Sequence, residues 1–369
     1  MNSNTFAGRS GVGLAAVALL LAATAEAEEE KVLNVYNWSD YIAEDTIENF
    51  EARTGIEVNY DVFDSNEVLE AKLLAGSTGY DVVVPSASFL ERQIKAGVFR
   101  PLDQDALSNR GNLDPDIMAR VALHDPDNAH AVPYMWGTTG IGFNEAMVAE
   151  ALPDAPTDSW SLLFDPAVIS KLADCGVTLL DAPTEVFSAA LVYLGKDANS
   201  EDLDDLKAAE ALLTSIRPYI RYIHSSQQIN DLANGEICVA MGWSGDIMIA
   251  ADRAAEAENG IEISYSIPSE GTIIWFDMLA IPNDAPHPGN AHLFIDYLLE
   301  PEVIAAVSNY VYYANPNSAS VEFVEAEIIE DPGIYPTPEV KAKLFPDLSH
   351  TSSFTRSQTR AWTRFKTGR

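Results

Sequence analysis

The chain has 369 residues, with 56 acidic side chains against 22 Lys and Arg, a formal net charge of −34 and 47% hydrophobic content. Charge of that sign and size excludes nucleic acid and anionic membrane surfaces as partners, because both are held through clustered Lys and Arg. It favours a cationic ligand, but an acidic, lysine-poor surface is also what adaptation to brine produces, so net charge alone names no ligand.

Arg9 precedes an apolar run over 11–23, and Ala25 and Ala27 follow in an A-x-A arrangement. This predicts a signal peptide over residues 1–27 with cleavage after Ala27, and hence an exported protein. The alternative is an N-terminal membrane anchor, but the run is short for a bilayer span. No cysteine near the cleavage site offers a lipid anchor. The remainder is too long for one ordinary core and predicts two lobes. Cys175 and Cys238 are the only cysteines. In an oxidising compartment an even pair bridges, the alternative being two buried thiols. Two thiols and six scattered histidines have no metal-ligand spacing, so neither metal nor cofactor is expected.

In chain order, strand-like runs at 32–38, 56–63 and 81–85 alternate with helical stretches at 45–54 and 65–75. This β-α-β-α-β rhythm predicts an α/β fold with crossover helices on a sheet. The extended, glycine-bearing stretch 131–144 suits a passage between lobes. Helices are expected at 160–163, 186–194 and 202–216, and strands at 177–181, 219–223, 237–243, 261–268 and 272–281. The expected division is lobe 1 over 28–136, lobe 2 over 137–255, lobe 1 again over 256–315, and a C-terminal segment, 316–369, mainly on lobe 2. The tail from Thr351 carries basic residues and no acid, and is expected to form a helix against an acidic lobe.

Ligands of open α/β sheets bind beyond the carboxyl ends of strands. Trp38-Ser39-Asp40-Tyr41 follows the first strand, Ser86-Ala87-Ser88 follows DVVVP, Glu185 follows VTLLDAPT, Trp243-Ser244-Gly245-Asp246 follows ICVAMG, and Trp275-Phe276-Asp277 lies in another apolar run. Aromatic–carboxylate pairs at strand ends suit a protonated polyamine. Its ammonium groups need carboxylates if buried. Its methylene stem needs flat apolar walls, which aromatic faces supply together with cation–π attraction of about 0.5–2 kcal/mol each. Each residue also has a plainer reading. Asp40 and Asp246 could cap helices, Ser86 and Ser88 could start one, and the tryptophans could be packing. Asp277 is the exception, since a carboxylate inside WFDMLAI is costly without a partner.

NVYNWSDYI, YDVVVPSASFLERQIKAGVFRPLD, VPYMWGTTGIGFN, IHSSQQINDLANGEICVAMGWSGD and YYANPN together resemble the polyamine-binding proteins of bacterial ABC transporters, across essentially all of the mature chain. The resemblance implies a two-lobed type II periplasmic binding-protein fold with the ligand, putrescine and/or spermidine, in the interlobe cleft. The implied partner is an ABC transporter permease in the inner membrane, and a monomer is expected. The implied site has Trp38, Ser39, Asp40 and Tyr41 on the first lobe's rim, with Ser86 and Ser88 at an amine. Glu185, Ser225, Trp243 and Asp246 come from the second lobe. Trp275 and Asp277 face them, and Tyr313 closes the site. Trp275 departs from the phenylalanine found in putrescine-binding relatives, which bears on chain-length preference. The family also pairs cysteines matching Cys175 and Cys238.

The rival class is a secreted enzyme. No G-x-S-x-G elbow, H-E-x-x-H helix or glycine-rich phosphate loop occurs in the sequence, although paired carboxylates would also suit a glycosidase.

Overall fold

The computed structural model describes Met1 and residues 29–368. Met1 aside, the expected signal peptide over 1–27 lies outside the described residues. Among the described residues ten strands are formed: β1 Val32–Trp38, β2 Glu57–Phe63, β3 Val82–Val83, β4 Ala131–Asn144, β5 Val177–Leu179, β6 Ile220–Ile223, β7 Val239–Trp243, β8 Ile263–Ser266, β9 Ile273–Ala280 and β10 Phe345–Pro346. They run in the order β2-β1-β3-β9-β4-β7-β5-β6, with β10 on β9 and β8 on β4.

β1 lies parallel to β2 and β3, and the helices Thr46–Thr54 and Asn66–Ala75 make the crossovers, as the sequence rhythm predicts. Each helix carries its own end signal. Gly55 closes the first with a left-handed φ of 70°, which glycine adopts without the Cβ penalty. Ser65 opens the second, its side chain accepting from the Val68 N–H.

β4 divides the molecule. Residues 131–138 pair antiparallel with β9, and residues 139–143 pair with β7. One continuous strand therefore serves both lobes, changing partner between Thr138 and Thr139. Two large cores sit on either side, and a third, smaller cluster gathers around Ile229, Leu232 and Ile247. Leu33, Val83, Tyr134, Leu279 and Phe294 belong to the first, and Trp160, Leu179, Phe187, Val239 and Trp362 to the second. Trp243 packs against both.

Two expected boundaries are displaced. The return near 255 does not occur there, because β8 takes its ladder partners from 141–144 of β4, on the second lobe's side. The chain comes back through 267–272, just before β9. Nor does the chain leave the first lobe at 315. Asn317 donates its side-chain N–H to the Leu299 carbonyl at 2.8 Å, and Val324, Ile328 and Ile334 are part of the first core. β10 still pairs with β9. The chain turns to the second lobe from Pro346, where Asn199 bonds Pro346 and Leu348, and the last helix, Ser352–Thr367, packs there, burying Phe354, Ala361, Trp362 and Phe365. Its basic residues meet acids there: Arg364 pairs with Glu210 at 2.6 Å and Lys366 with Asp181 at 2.9 Å.

Cys175 and Cys238 are bonded, closing a separation of 63 residues between the entrances of β5 and β7. A loop of that length restricts the unfolded chain by about 4 kcal/mol on the chain-entropy account. The variant carrying both Cys175→Ala and Cys238→Ala is expected to lose stability of about that size in denaturant unfolding, while alkylation of the unreduced, unfolded parent finds no thiol. Equal midpoints for parent and variant would show that the bridge carries no stability.

Candidate functional site

The cleft forms where the carboxyl ends of β1 and β7 face the middle of β9 and the first turn of the helix Pro183–Tyr193. Trp38 ends β1 and anchors its indole N–H on the Val84 carbonyl at 2.8 Å. The next turn folds tightly, with Asp40 at a φ of 52°, a left-handed conformation that Asp tolerates better than most residues. Asp40 is not a helix cap, because the following helix starts at Thr46. It lines the cleft, and its carboxylate receives Arg253 from the second lobe at 2.8 Å.

Asp277 sits within the β9 ladder opposite Met135 and is 4% exposed. Two hydroxyls donate to it, Tyr41 at 2.8 Å and Ser86 at 2.5 Å. Ser86 precedes the helix Ala87–Lys95 but makes no side-chain capping bond, since its hydroxyl is engaged by Asp277. Trp275 lies two residues back on the same strand. Its indole rests on Gly137, where a Cβ would stand 2.7 Å from the ring. The Trp275 indole N–H finds no partner among the described residues.

The second lobe supplies two more carboxylates. Asp246 lies inside the helix Ser244–Glu256, whose N-cap is Trp243, so the capping reading does not hold. The Tyr313 hydroxyl donates to it at 2.8 Å. Gly245 makes that contact possible, because a Cβ there would lie 2.4 Å from the Tyr313 ring. Glu185, in the first turn of its helix, accepts from the Trp243 indole N–H at 2.9 Å and from the Thr139 hydroxyl. Trp243 in turn meets Trp38 edge-on across the cleft, with ring centroids 5.6 Å apart. Ser225 lines the cleft, with its oxygen accepting from the Asp181 N–H at 3.1 Å.

The structure thus brings the expected residues to one slot, Ser88 excepted. Two positions after Ser86 on a helix points to the opposite side, and Ser88 faces an adjoining cavity, where it donates to Asp347 at 2.5 Å. Sequence reasoning missed Glu67, Phe89 and Asp347, which also line the slot. Glu67 follows the end of β2, so the strand-end rule was sufficient to find it. Asp347 follows a two-residue strand in a proline-bearing segment and gave no such signal.

The slot is walled by Trp38, Trp243, Trp275 and Tyr313 and encloses about 60 Å³. Its lining includes Asp40, Glu185, Asp246 and Asp277 but no Lys, Arg or His. Burial pushes the Asp246 and Asp277 carboxyls up to about 7 and Glu185 up to about 8, against the opposing pull of their hydroxyl and indole donors. Deprived of water and lacking a cation within the slot, these groups hold protons near neutrality that ordinary carboxyls release. The arrangement can accept N–H donors at either end and hold an apolar rod between.

Residues 45–337 match the family described as bacterial extracellular solute-binding protein. The chain is 56% identical over 360 residues to the putrescine-binding periplasmic protein PotF of Escherichia coli, covering 97% of each. It is 53% identical to the putrescine-binding periplasmic protein SpuD of Pseudomonas aeruginosa, over 95% of each. The solved structure of the spermidine/putrescine ABC transporter substrate-binding protein PotD from Streptococcus pneumoniae superposes with a TM-score of 0.73 at 29% identity, covering 91% of this chain and 99% of that one. The chain belongs to the bacterial extracellular solute-binding protein family and shares its two-lobed fold.

Proposed function

We propose that this protein captures a polyamine, putrescine and/or spermidine, in the periplasm as a monomer and delivers it to the permease of an ABC importer in the inner membrane. The observation that carries the reading is an enclosed slot of aromatic faces and carboxylates with no basic side chain in its lining. A sugar site has no use for several uncompensated carboxylates, and an amino-acid site needs a cation for the α-carboxylate. A protonated diamine supplies what the slot lacks: positive charge at both ends and methylenes between. The printed names of PotF and SpuD support the same ligand class.

In this reading Asp277, with Tyr41 and Ser86, and Asp246, with Tyr313, hold one ammonium group. Glu185 holds the other, and Trp38, Trp243 and Trp275 enclose the stem. Ser39, Asp40 and Ser225 complete the rim, while Ser88 stands behind it. The lobes close about the passages at Thr138 and 267–272, Asp40–Arg253 joining them at the rim.

Loss of one member of a buried charge pair costs about 3–5 kcal/mol, on the order of a hundredfold or more in affinity. Asp246→Asn and Asp277→Asn preserve shape and an acceptor for Tyr313, Tyr41 and Ser86 but remove the charge. Each is expected to weaken putrescine and spermidine by that order in isothermal titration and to keep the unliganded melting temperature within the parent's range or above it. Parent-like affinity in both would put the ligand elsewhere.

The same carboxyls set the pH dependence. In the empty folded protein they stay protonated to about pH 7–8, whereas the unfolded chain releases those protons near pH 4. The folded state therefore binds more protons across that window, and its stability falls as pH rises through it. A bound ammonium reverses the burial penalty and expels the protons. Affinity is accordingly expected to rise from pH 6 to 8, with titration heats that differ between buffers of different ionisation enthalpy. A flat affinity and buffer-independent heats would show that the carboxyls are already ionised in the empty slot.

A further inference from the structure

One of the hydrogen bonds to Glu185 comes from the passage between the lobes. Thr139, 1% exposed, donates its hydroxyl to Oε2 of that carboxyl. It forms a rung of the second lobe's ladder opposite Trp243, whose indole N–H reaches the same carboxyl at 2.9 Å. Thr138, one residue back, is still on the first lobe's ladder, opposite Ile274 of β9. Side-chain hydroxyls hold the backbone where β4 changes partner. Thr272, on the second passage, donates to the Thr139 carbonyl at 2.6 Å, and Tyr265 donates to the Thr138 carbonyl at 2.9 Å. The donor to Glu185 is therefore fixed where the two passages are tied together. Asp246, the other carboxyl of the second lobe, is served differently, because the Tyr313 that donates to it belongs to the first core.

Thr139 does not line the slot, so it can serve a ligand only through Glu185. From its hydrogen bond to that carboxyl and its place at the tied passages, we infer that Thr139 is a positioning residue for capture, holding Glu185 aimed at an ammonium group before the lobes close. The inference rests on the polyamine reading and deepens it by giving the two second-lobe carboxyls different tasks. When the lobes part, Tyr313 leaves Asp246 with the first lobe, whereas Thr139 and Trp243 stay with Glu185. Glu185 is thus prepared in the open protein, and Asp246 is completed on closure. Trp243 cannot hold Glu185 alone. Its single indole proton is shared between the two carboxyl oxygens, at 3.0 and 2.9 Å, so the Thr139 hydroxyl is the donor that sets the rotation of the group. It also eases the charging of Glu185. Burial pushes that carboxyl up to about 8, the Thr139 hydroxyl and the Trp243 indole pull against it, and Asp347 and Glu67 push with it. The Tyr265 phenol, which also feels Glu185, is pushed up by its own burial and stays neutral. A hydroxyl donated to the charged form lowers the cost of releasing the proton when an ammonium group arrives.

The test is isothermal titration of the mature protein with putrescine between about pH 6 and 9, on the parent and on Thr139→Val, Thr139→Ala and Thr139→Ser, with unliganded melting temperatures measured alongside. Valine keeps the branched shape without the hydroxyl, and serine keeps the hydroxyl. Thr139→Val and Thr139→Ala are expected to weaken putrescine by about tenfold at the acid end, while Thr139→Ser stays within about threefold of the parent. Without the hydroxyl Glu185 titrates at higher pH, so binding must expel a proton that is held more tightly. That penalty fades where the empty carboxyl is already ionised, and the gap from the parent is expected to narrow toward the alkaline end. Support of the strand alone would instead weaken binding equally at every pH. A loss that is constant across the range, a loss that serine does not rescue, a large fall in melting temperature shared by both hydroxyl-free variants, or no loss at all would overturn the positioning role and leave the polyamine reading standing. A parent that binds no putrescine at any pH would overturn both.

Discussion

Carboxyl groups held out of water without an internal cation are the constraint around which the molecule is arranged. Three carboxylates, Glu185, Asp246 and Asp277, face a narrow aromatic slot, and each has neutral hydrogen-bond donors in place of a countercharge. Neutral donors stabilise a carboxylate, but burial outweighs them here, as the upward displacement of all three carboxyls shows. Elsewhere enclosed acids are ringed by backbone N–H groups and a histidine ring: Asp125 takes the N–H groups of His130 and Ala131 beside the His130 imidazole, and Asp81 those of Asn34 and His287 beside the His287 imidazole. The contrast marks the slot as a place that suits a cation.

That constraint explains details of backbone that packing alone does not require. Asp277 lies in a ladder that an apolar residue would fill more cheaply, yet the hydroxyls of Tyr41 and Ser86 reach it from two other segments. Gly245 and Gly137 give up side chains so that the rings of Tyr313 and Trp275 can close on the slot. Tyr313 then touches Asp246 through its hydroxyl and Tyr41 through its ring, with centroids 5.1 Å apart. The tyrosines thereby connect the carboxylate of one lobe to that of the other.

The sequence disclosed the parts of this arrangement that follow local rules. β-branched runs bounded by turn residues located β1, β2, β7 and β9, and the strand-end rule put Trp38, Asp40, Glu185 and Asp246 in one place before any coordinates. What it could not disclose depends on partners distant in the chain. β8 reads as a strand, but nothing in residues 263–266 says that it pairs with 141–144, so the lobe boundary near 255 was misplaced. Nothing in the sequence of 316–334 says which lobe it joins, and only its burial against the first core fixes that. Ser88 was one helical position out of phase, because the apolar pattern of a short helix start does not fix its rotation. Asp347 depends on a two-residue strand whose only support is its ladder with β9.

The cost of the empty slot also accounts for having two lobes. Were the site a pocket in one rigid domain, the dehydration of its carboxyl groups would be borne continuously. Divided between lobes joined by β4 and the segment 267–272, the same groups can return to water whenever the lobes part. Closure then brings them together only when something relieves the burial. The contacts that close the rim without a ligand are an Asp40–Arg253 pair with both side chains more than a third exposed and an edge contact between Trp38 and Trp243. Exposed pairs contribute about 0–1 kcal/mol, which is small beside the burial of several uncompensated carboxylates. A cation with methylenes reverses the sign of that balance by pairing with the carboxylates and filling the space between the indoles, and a ligand can shift such an equilibrium only by its differential affinity for the two states. A lining without a basic side chain therefore serves both selection and closure: a sugar or neutral amino acid that entered would leave the carboxyls unpaired and the closed state disfavoured.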